Sequence, residues 1–173
     1  MTIYKVFGFL LIMLTISSCN QNKKDTSKIE KLNSNHKMEV TKGQGIVTKT
    51  SSKSFEETYN TLVEVITNNP NLKIIAELNH QANAASVGLE LNPTRIIMFG
   101  NPKLGTPLMQ NAQSIGLDLP QKILVWQDND VVKVSYNDPT YLQERHGVEG
   151  KDEILQKIKG ALDGLTNKAI NPQ

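Results

Sequence analysis

Cysteine is nearly absent from this sequence, which holds a single copy at Cys19. One thiol cannot form a disulfide within the chain, and it cannot supply the several thiolates of a typical metal site. Charge of one sign is also scarce, since 19 basic residues against 17 acidic ones leave a formal net charge of +2. So small an excess, without a stripe of basic and aromatic residues, argues against a nucleic-acid surface, and we expect no nucleic-acid partner.

The one long apolar run lies near the N-terminus, where Val6–Ile16 is almost uninterrupted and follows Lys5. This run is short for a transmembrane helix and matches the core of a secretory signal. The residues "ISSC" that follow it, Ile16–Cys19, resemble a bacterial lipobox, in which small residues precede the cysteine to be lipidated. We therefore predict a lipoprotein signal peptide over residues 1–18. An ordinary secretory signal or an uncleaved anchor is the alternative.

Lipidation of Cys19 would place the protein at the bacterial cell envelope, anchored to a membrane on its periplasmic or surface face. Each buried methylene contributes about 0.8 kcal/mol, so several acyl chains hold a protein stably where one chain would not. The modified Cys19 would be a thioether, which is neither a nucleophile nor a metal ligand.

Residues 19–42 are rich in Lys, Asn and Ser and contain no aromatic residue. No apolar face in this segment is long enough to bury, which is typical of a disordered tether. As a flexible coil the segment would span roughly 25 Å, enough to hold a domain clear of lipid headgroups. We predict one folded domain over residues 43–170.

Hydrophobic periodicity and turn residues divide the folded part into strands and helices. The expected strands are 43–50, 72–80 (with Leu72, Ile74, Ala76 and Leu78 on one face), 85–91, a central strand 95–100, and the hairpin 121–127 with 131–137. The first two expected helices run from a Ser54–Glu57 capping box to Asn68, and from the unusual stretch described below to about Ile115. The third begins at Pro139, with Asp138 as its N-cap, and stops at Gly147. The last begins at Asp152 and carries one apolar stripe: Ile154, Leu155, Ile158, Ala161, Leu162 and Leu165. Few, unevenly placed helices among strands indicate an α+β domain, a mainly antiparallel sheet with helices packed on one face.

The most unusual stretch is "FGNPKLGTPLMQ", residues 99–110. Gly100 and Gly105 have the separation of a P-loop, but Thr106 and Pro107 stand where that motif needs Lys and Ser or Thr. Pro107 also lacks the N–H that would contact a phosphate. A nucleoside-triphosphate site is therefore not expected.

A structural interpretation accounts for each residue of the stretch. Asn101 can cap a helix that starts at Pro102, and an interior Pro107 would break it. We therefore expect a bend at Gly105-Thr106 and a second helix, with a buried face of Leu108, Met109, Ala112 and Ile115. Two adjacent helix starts would expose free N–H groups near Lys103, where a carboxylate or phosphate ester could bind.

Three long motifs carry a resemblance to a known family: "LNPTRIIMFGNPKLGTPLM", "LPQKILVWQD" and "YNDPTYLQERHG". They are similar to those of domain-of-unknown-function family 302 (DUF302), from about Gly45 to Val148. The resemblance implies a compact α+β fold, a homodimer and no established reaction.

The candidate site residues are polar or aromatic side chains near this stretch and on the hairpin. We single out as ligand-binding candidates Asn101, Lys103, Thr106, Lys122, Trp126, Tyr136 and Asn137. Trp126 and Tyr136 would line a pocket on neighbouring strands, with core packing as the simpler alternative.

Catalytic and metal motifs are not apparent. No Ser lies in G-x-S-x-G, and His80, His146 and Asp138 lack the short spacing typical of metal ligands. We expect no catalytic residues, no metal and no cofactor. The sequence thus favours an envelope-anchored domain that binds a small polar or anionic ligand without catalysis. A dimeric protein-interaction module of a membrane complex is the alternative.

Overall fold

The computed structural model describes residues 38–41 and 45–171. The strands are β1 (Met38–Thr41), β2 (Ile46–Thr50), β3 (Lys73–Asn79), β4 (Thr94–Gly100), β5 (Gln121–Asp128) and β6 (Val131–Asn137). The helices are α1 (Phe55–Thr67), α2 (His80–Ser86), α3 (Pro102–Asn111), α4 (Pro139–His146) and α5 (Asp152–Ile170), with a 3-10 helix at Gln113–Leu117.

The six strands form one sheet in the order β1-β2-β6-β5-β4-β3. Every pair of neighbours is antiparallel. The predicted α+β class is therefore confirmed, and β4 lies inside the sheet as its two apolar faces indicated. β1 and β3 form the two edges.

One face of the sheet carries the core. Ile97, Ile123, Tyr136 and Val47 pair directly across four strands and are all buried, so they share that face. Helices α1 and α5 contribute much of the rest, including Leu62, Ile66 and Leu162, each 1% exposed or less. Leu108, Ile115 and Leu142, from α3, the 3-10 helix and α4, are also buried in the core. The opposite face carries half-buried side chains such as Ile96 and Leu124.

Local signals fixed most helix ends as predicted. The Ser54 side chain accepts the N–H of Glu57, and the Glu57 carboxylate accepts the N–H of Ser54, so the capping box is complete. Asp138 caps α4 by accepting the N–H of Thr140. Gly147 ends that helix at φ 63°, a left-handed conformation that costs glycine little.

The strand β3 departs from the predicted alternation because it contains a β-bulge between Ile74 and Ala76. Ile74 pairs with Phe99 on the core face, whereas Ala76 pairs with Met98 on the other face. A bulge inserts one extra residue and so reverses the alternation beyond it. Leu78, expected to share the buried face, is therefore 38% exposed.

Two element predictions were wrong. Met38–Thr41, inside the segment assigned to the tether, forms strand β1, which pairs with β2. The strand expected at 85–91 does not form, because α2 extends to Ser86 and turn and loop follow it. This alanine-rich helix is capped by Asn79, which accepts the N–H of Ala82. Capping and the helix propensity of alanine outweigh the weak alternation of this segment.

The bend expected at Gly105-Thr106 is also wrong, because α3 is one helix with Pro107 inside it. The hydrogen bond that Pro107 cannot donate would go to the carbonyl of Lys103, an exposed residue that water can reach. The proline thus costs the helix less here than it would in a buried segment.

The predicted signal peptide, the acylated Cys19 and most of the tether lie outside the described residues. Among the described helices, none combines the length and the hydropathy needed to cross a membrane.

Candidate functional site

The stretch that follows β4 forms a corner of the domain. β4 ends at Gly100, and the side chain of Asn101 accepts the backbone N–H of Lys103 at 2.9 Å. Pro102 occupies the first turn of α3, where a missing N–H costs nothing. The predicted role of Asn101 as a helix cap is therefore confirmed.

A cavity of about 340 Å³ lies beside this corner. Asn101 and Thr106 contribute to its wall, and Gly100 and Gly105 form part of the backbone around it. Most of the remaining lining is apolar and comes from β3, α3, the loop before β5, and α5, including Leu72, Ile75, Leu104, Leu119, Ile158 and Leu162. The cavity is thus a mainly apolar space, with Lys73, Asn101, Thr106 and Gln121 as its polar lining residues.

Two side chains that helical periodicity assigned to buried faces are exposed because they lie at the rim of the cavity. Met109 of α3 is 36% exposed, and Ala161 of α5 is also exposed. Both residues line the cavity, as does the exposed Ile75. These side chains therefore border the open space of the cavity, where no protein atoms cover them.

Lys103 and Lys122, two further candidates, do not line this cavity. Lys103 is exposed on the first turn of α3. The Lys122 ammonium donates to the backbone carbonyl of Asp118 at 2.8 Å and to that of Pro120 at 3.3 Å. Lys122 therefore holds the loop before β5 in place. Asn137, half-buried at the end of β6, is also outside the lining.

Trp126 and Tyr136 lie on paired strands but on opposite faces of the sheet. Trp126 pairs with Lys133, three residues before Tyr136, and side chains alternate between faces along a strand. The Trp126 indole N–H donates to the Ser135 hydroxyl at 2.9 Å, and the Lys133 ammonium lies 4.8 Å from the ring centroid. The pair cannot line one pocket, so the core-packing alternative describes Tyr136.

Tyr136 belongs to a buried polar cluster that the sequence did not indicate. Its neighbour Lys49 is 4% exposed, and the Lys49 ammonium donates to Asp163, to the Thr166 hydroxyl at 2.9 Å and to the Asn167 amide oxygen at 2.7 Å. Burial raises the pKa of Tyr136 to about 12, and the carboxylate of Asp163 adds to the shift. We call Lys49, Asp163, Thr166 and Asn167 the lysine clamp, since it ties β2 to α5.

A second polar cluster joins the end of α4 to the 3-10 helix. The two ring nitrogens of His146 contact different partners: Nδ1 lies 3.1 Å from Ser114 Oγ, and Nε2 lies 2.6 Å from Asp118 Oδ2. The His146 side chain is 5% exposed and that of Asp118 is 14% exposed. Arg145 Nη1 approaches the same Asp118 oxygen at 3.4 Å.

Sequence reasoning missed this cluster because Ser114 and His146 are 32 positions apart and fit no short motif. As for metals, the described residues bring no three His, Cys, Asp or Glu side chains together in a way that could hold an ion.

Comparisons with known proteins agree on one family. The family model described as "Domain of unknown function DUF302" matches residues 47–165. A solved structure, "uncharacterized conserved protein DUF302 from Bacillus stearothermophilus", superposes with a TM-score of 0.65 over 73% of this chain and 98% of that one. Its 21% sequence identity supports a shared fold only.

Curated relatives include two proteins named "Fluoride-specific ion channel FluC 1". The one from Brucella suis biovar 1 (strain 1330) is 40% identical over 125 residues, which cover 72% of this chain and 49% of that relative. The one from Brucella abortus biovar 1 (strain 9-941) is also 40% identical, with 46% of its length covered. The chain thus spans about half the length of the curated relatives it matches.

Proposed function

The chain belongs to the DUF302 family, and from that premise we propose that its domain binds a small, largely apolar ligand in the cavity beside Asn101 and Thr106. The observation that carries the proposal is the cavity itself, whose volume of about 340 Å³ lies within the usual range for small-molecule sites. Several of its apolar lining residues, such as Ile75 at 59% exposed, face open space, so their surface is available to a ligand.

The chemistry of the walls favours an apolar ligand over the polar or anionic one that the sequence suggested. Leu72, Leu104 and Leu119 would contact the body of the ligand. The Thr106 hydroxyl and the Asn101 amide supply the polar groups that orient it. Lys103, the expected partner of an anion, is outside the lining, and Lys73 is the one lysine among the lining residues.

Two fluorescent probes test this proposal. N-phenyl-1-naphthylamine and 8-anilinonaphthalene-1-sulfonate share their aromatic rings and differ by one sulfonate. We expect the neutral probe to bind with at least the affinity of the charged one, because burying apolar surface against the walls is favourable. Binding of the sulfonate probe alone would contradict the apolar assignment and restore the anionic one.

A pair of matched variants locates the bound probe. Ala161→Phe adds a ring to the cavity rim, and we expect it to reduce binding of the neutral probe at least about tenfold. Ala82→Phe makes the same change on exposed α2, away from the cavity, and should bind like the wild type. Equal binding by both variants would contradict the proposal.

We also propose that acylation of Cys19 anchors this domain at the bacterial cell envelope. The support is the lipobox-like "ISSC" and the apolar run before it. Mass spectrometry of protein purified from membranes should show an acylated N-terminal Cys19 and no residues before it. A free thiol at Cys19 in mature protein would contradict the proposal.

A second candidate function, as an interaction module for a membrane protein, is favoured by the curated relatives. In those proteins a region similar to this chain accounts for about half the length, and their names describe an ion channel. We propose that a domain of this kind accompanies a membrane partner, with a homodimer as the simplest assembly. Affinity purification from solubilised membranes should then yield a stoichiometric partner, and light scattering should report twice the monomer mass. A lone monomer in both measurements would contradict this candidate.

A further inference from the structure

We propose that Ser114, His146 and Asp118 form a nucleophilic site, in which Ser114 attacks the carbonyl carbon of small carboxylic esters. None of the three residues lines the apolar cavity, so the site is separate from the proposed ligand site. The juxtaposition that carries the inference is a continuous hydrogen-bonded chain from a hydroxyl through an imidazole to a carboxylate.

The geometry satisfies the two contacts that an activated serine needs. The base must touch the nucleophile, and His146 Nδ1 lies 3.1 Å from Ser114 Oγ. The base must also be oriented by a third group, and Asp118 Oδ2 lies 2.6 Å from His146 Nε2. In the tautomer with its proton on Nε2, the imidazole donates to Asp118 and accepts from Ser114. The two nitrogens have exchanged the places they occupy in the serine proteases.

Two of the three side chains are largely buried, and the third is accessible to solvent. The His146 and Asp118 side chains are 5% and 14% exposed, so protein atoms hold both in position. Ser114 is exposed, so a substrate can reach its hydroxyl. Arg145 Nη1 lies 3.4 Å from Asp118 Oδ2 and forms an ion pair with it.

The reaction balances with water as the only co-reactant. Ser114 Oγ bonds to the carbonyl carbon while its proton passes to His146 Nδ1. The bond to the ester's alkoxy group then breaks, and that group leaves as an alcohol with the proton from His146. Water attacks the acyl-serine, gives a proton to His146, and the carboxylic acid departs as Ser114 regains its proton.

Covalent labelling tests the nucleophile directly. Full-length protein in detergent is treated with a biotinylated fluorophosphonate, and the modified peptide is identified by mass spectrometry. We expect labelling at Ser114 and its loss in Ser114→Ala, a change at an exposed position that should leave the fold intact. The matched control is Ser86→Ala. Ser86 is exposed too, but its hydroxyl donates to a backbone carbonyl and contacts no histidine. Absence of the label from Ser114 would overturn the proposal.

Hydrolysis of 4-nitrophenyl acetate tests the complete cycle. Ser114→Ala and His146→Gln should each slow turnover about 100-fold or more. Asp118 acts through His146 and is a positioning residue, so Asp118→Asn should be slow whereas Asp118→Glu recovers part of the rate at unchanged thermal stability. If Ser114→Ala turned over the ester at the wild-type rate, the ester would be reacting directly with the histidine, and this result would overturn the proposal. Labelling of Ser114 without any turnover would overturn the hydrolytic step.

Discussion

Two adjacent stretches of α5 have opposite character, since one lines an apolar cavity and the other forms a polar cluster. Ile158, Ala161 and Leu162 border the apolar cavity, where protein atoms leave space unfilled. One turn further on, Asp163, Thr166 and Asn167 all accept from the buried ammonium of Lys49. The first stretch offers adaptable apolar surface, and the second fixes a polar geometry completely.

The two stretches differ in how strictly they fix the arrangement of the groups around them. A buried polar cluster with every group paired specifies one arrangement, because any loss leaves an unpaired donor or acceptor. An apolar wall can instead lose or gain contacts gradually with a guest molecule. We therefore interpret the lysine clamp as the part that fixes one geometry, and the apolar residues around the cavity as the part that contributes more of the stability. Three variants test this comparison.

Leu162→Ala should have the largest effect on stability. Leu162 is 1% exposed and borders the cavity, so its truncation enlarges a space that already exists. Buried leucine-to-alanine changes cost 2–5 kcal/mol, and we expect a loss of about 3 kcal/mol in the free energy of unfolding. Urea denaturation measures this loss.

The control is Leu117→Ala, at a leucine that is 78% exposed and should cost less than about 0.5 kcal/mol. Equal losses in the two variants would show that the wall of the cavity contributes nothing to the core.

Lys49→Met should have the next largest effect, a loss of about 2 kcal/mol. Methionine fills similar space but leaves Thr166, Asn167 and Asp163 without their shared donor. The expected loss stays moderate because the Asp163 side chain is 50% exposed and water can solvate it. The same denaturation experiment applies.

Lys157→Met changes an exposed lysine on the same helix and should be nearly neutral. If Lys49→Met were as stable as Lys157→Met, the lysine clamp would contribute nothing to stability, and the contrast between the polar and apolar stretches of α5 would not hold.

The smallest effect appears only at high pH. The pKa of Tyr136 is raised to about 12, above the value near 10 of an unfolded tyrosine. Stability from the neutral phenol is complete below pH 10 and is lost as pH rises toward 12, because the unfolded chain releases its proton first. Between pH 8 and pH 11 the loss from this group should be about 1 kcal/mol.

Tyr136→Phe has no phenol to titrate, so its free energy of unfolding should fall by that much less over the same interval. Parallel pH curves for the two proteins would contradict the assigned burial of the Tyr136 hydroxyl.

Much of the fold was predictable because its signals are local. The Ser54–Glu57 box, the Asp138 cap and the stop at Gly147 each depend on a few neighbouring residues, and each was confirmed. The hairpin turn was confirmed as well, with Asn129 at φ 53°. Features that depend on a pairing partner were not predictable. The bulge at Ile74 depends on its pairing with β4, and the edge strand β1 is apparent only from its pairing with β2.

The candidate site was only partly predictable for the same reason. The stretch from Asn101 to Thr106 could be singled out by its composition, and the cavity lies beside it. The apolar character of that cavity comes from Leu72, Ile158 and other residues brought there by packing. Likewise, the contact between Ser114 and His146 exists only in three dimensions.

The two edges of the sheet bear on how the protein behaves at high concentration. Unpaired backbone groups along a flat edge can recruit the edge of another molecule and start fibril growth. Here one edge strand is four residues long and the other is interrupted by its bulge. Neither offers a long, regular template, so concentrated stocks of the folded protein should resist ordered aggregation during storage.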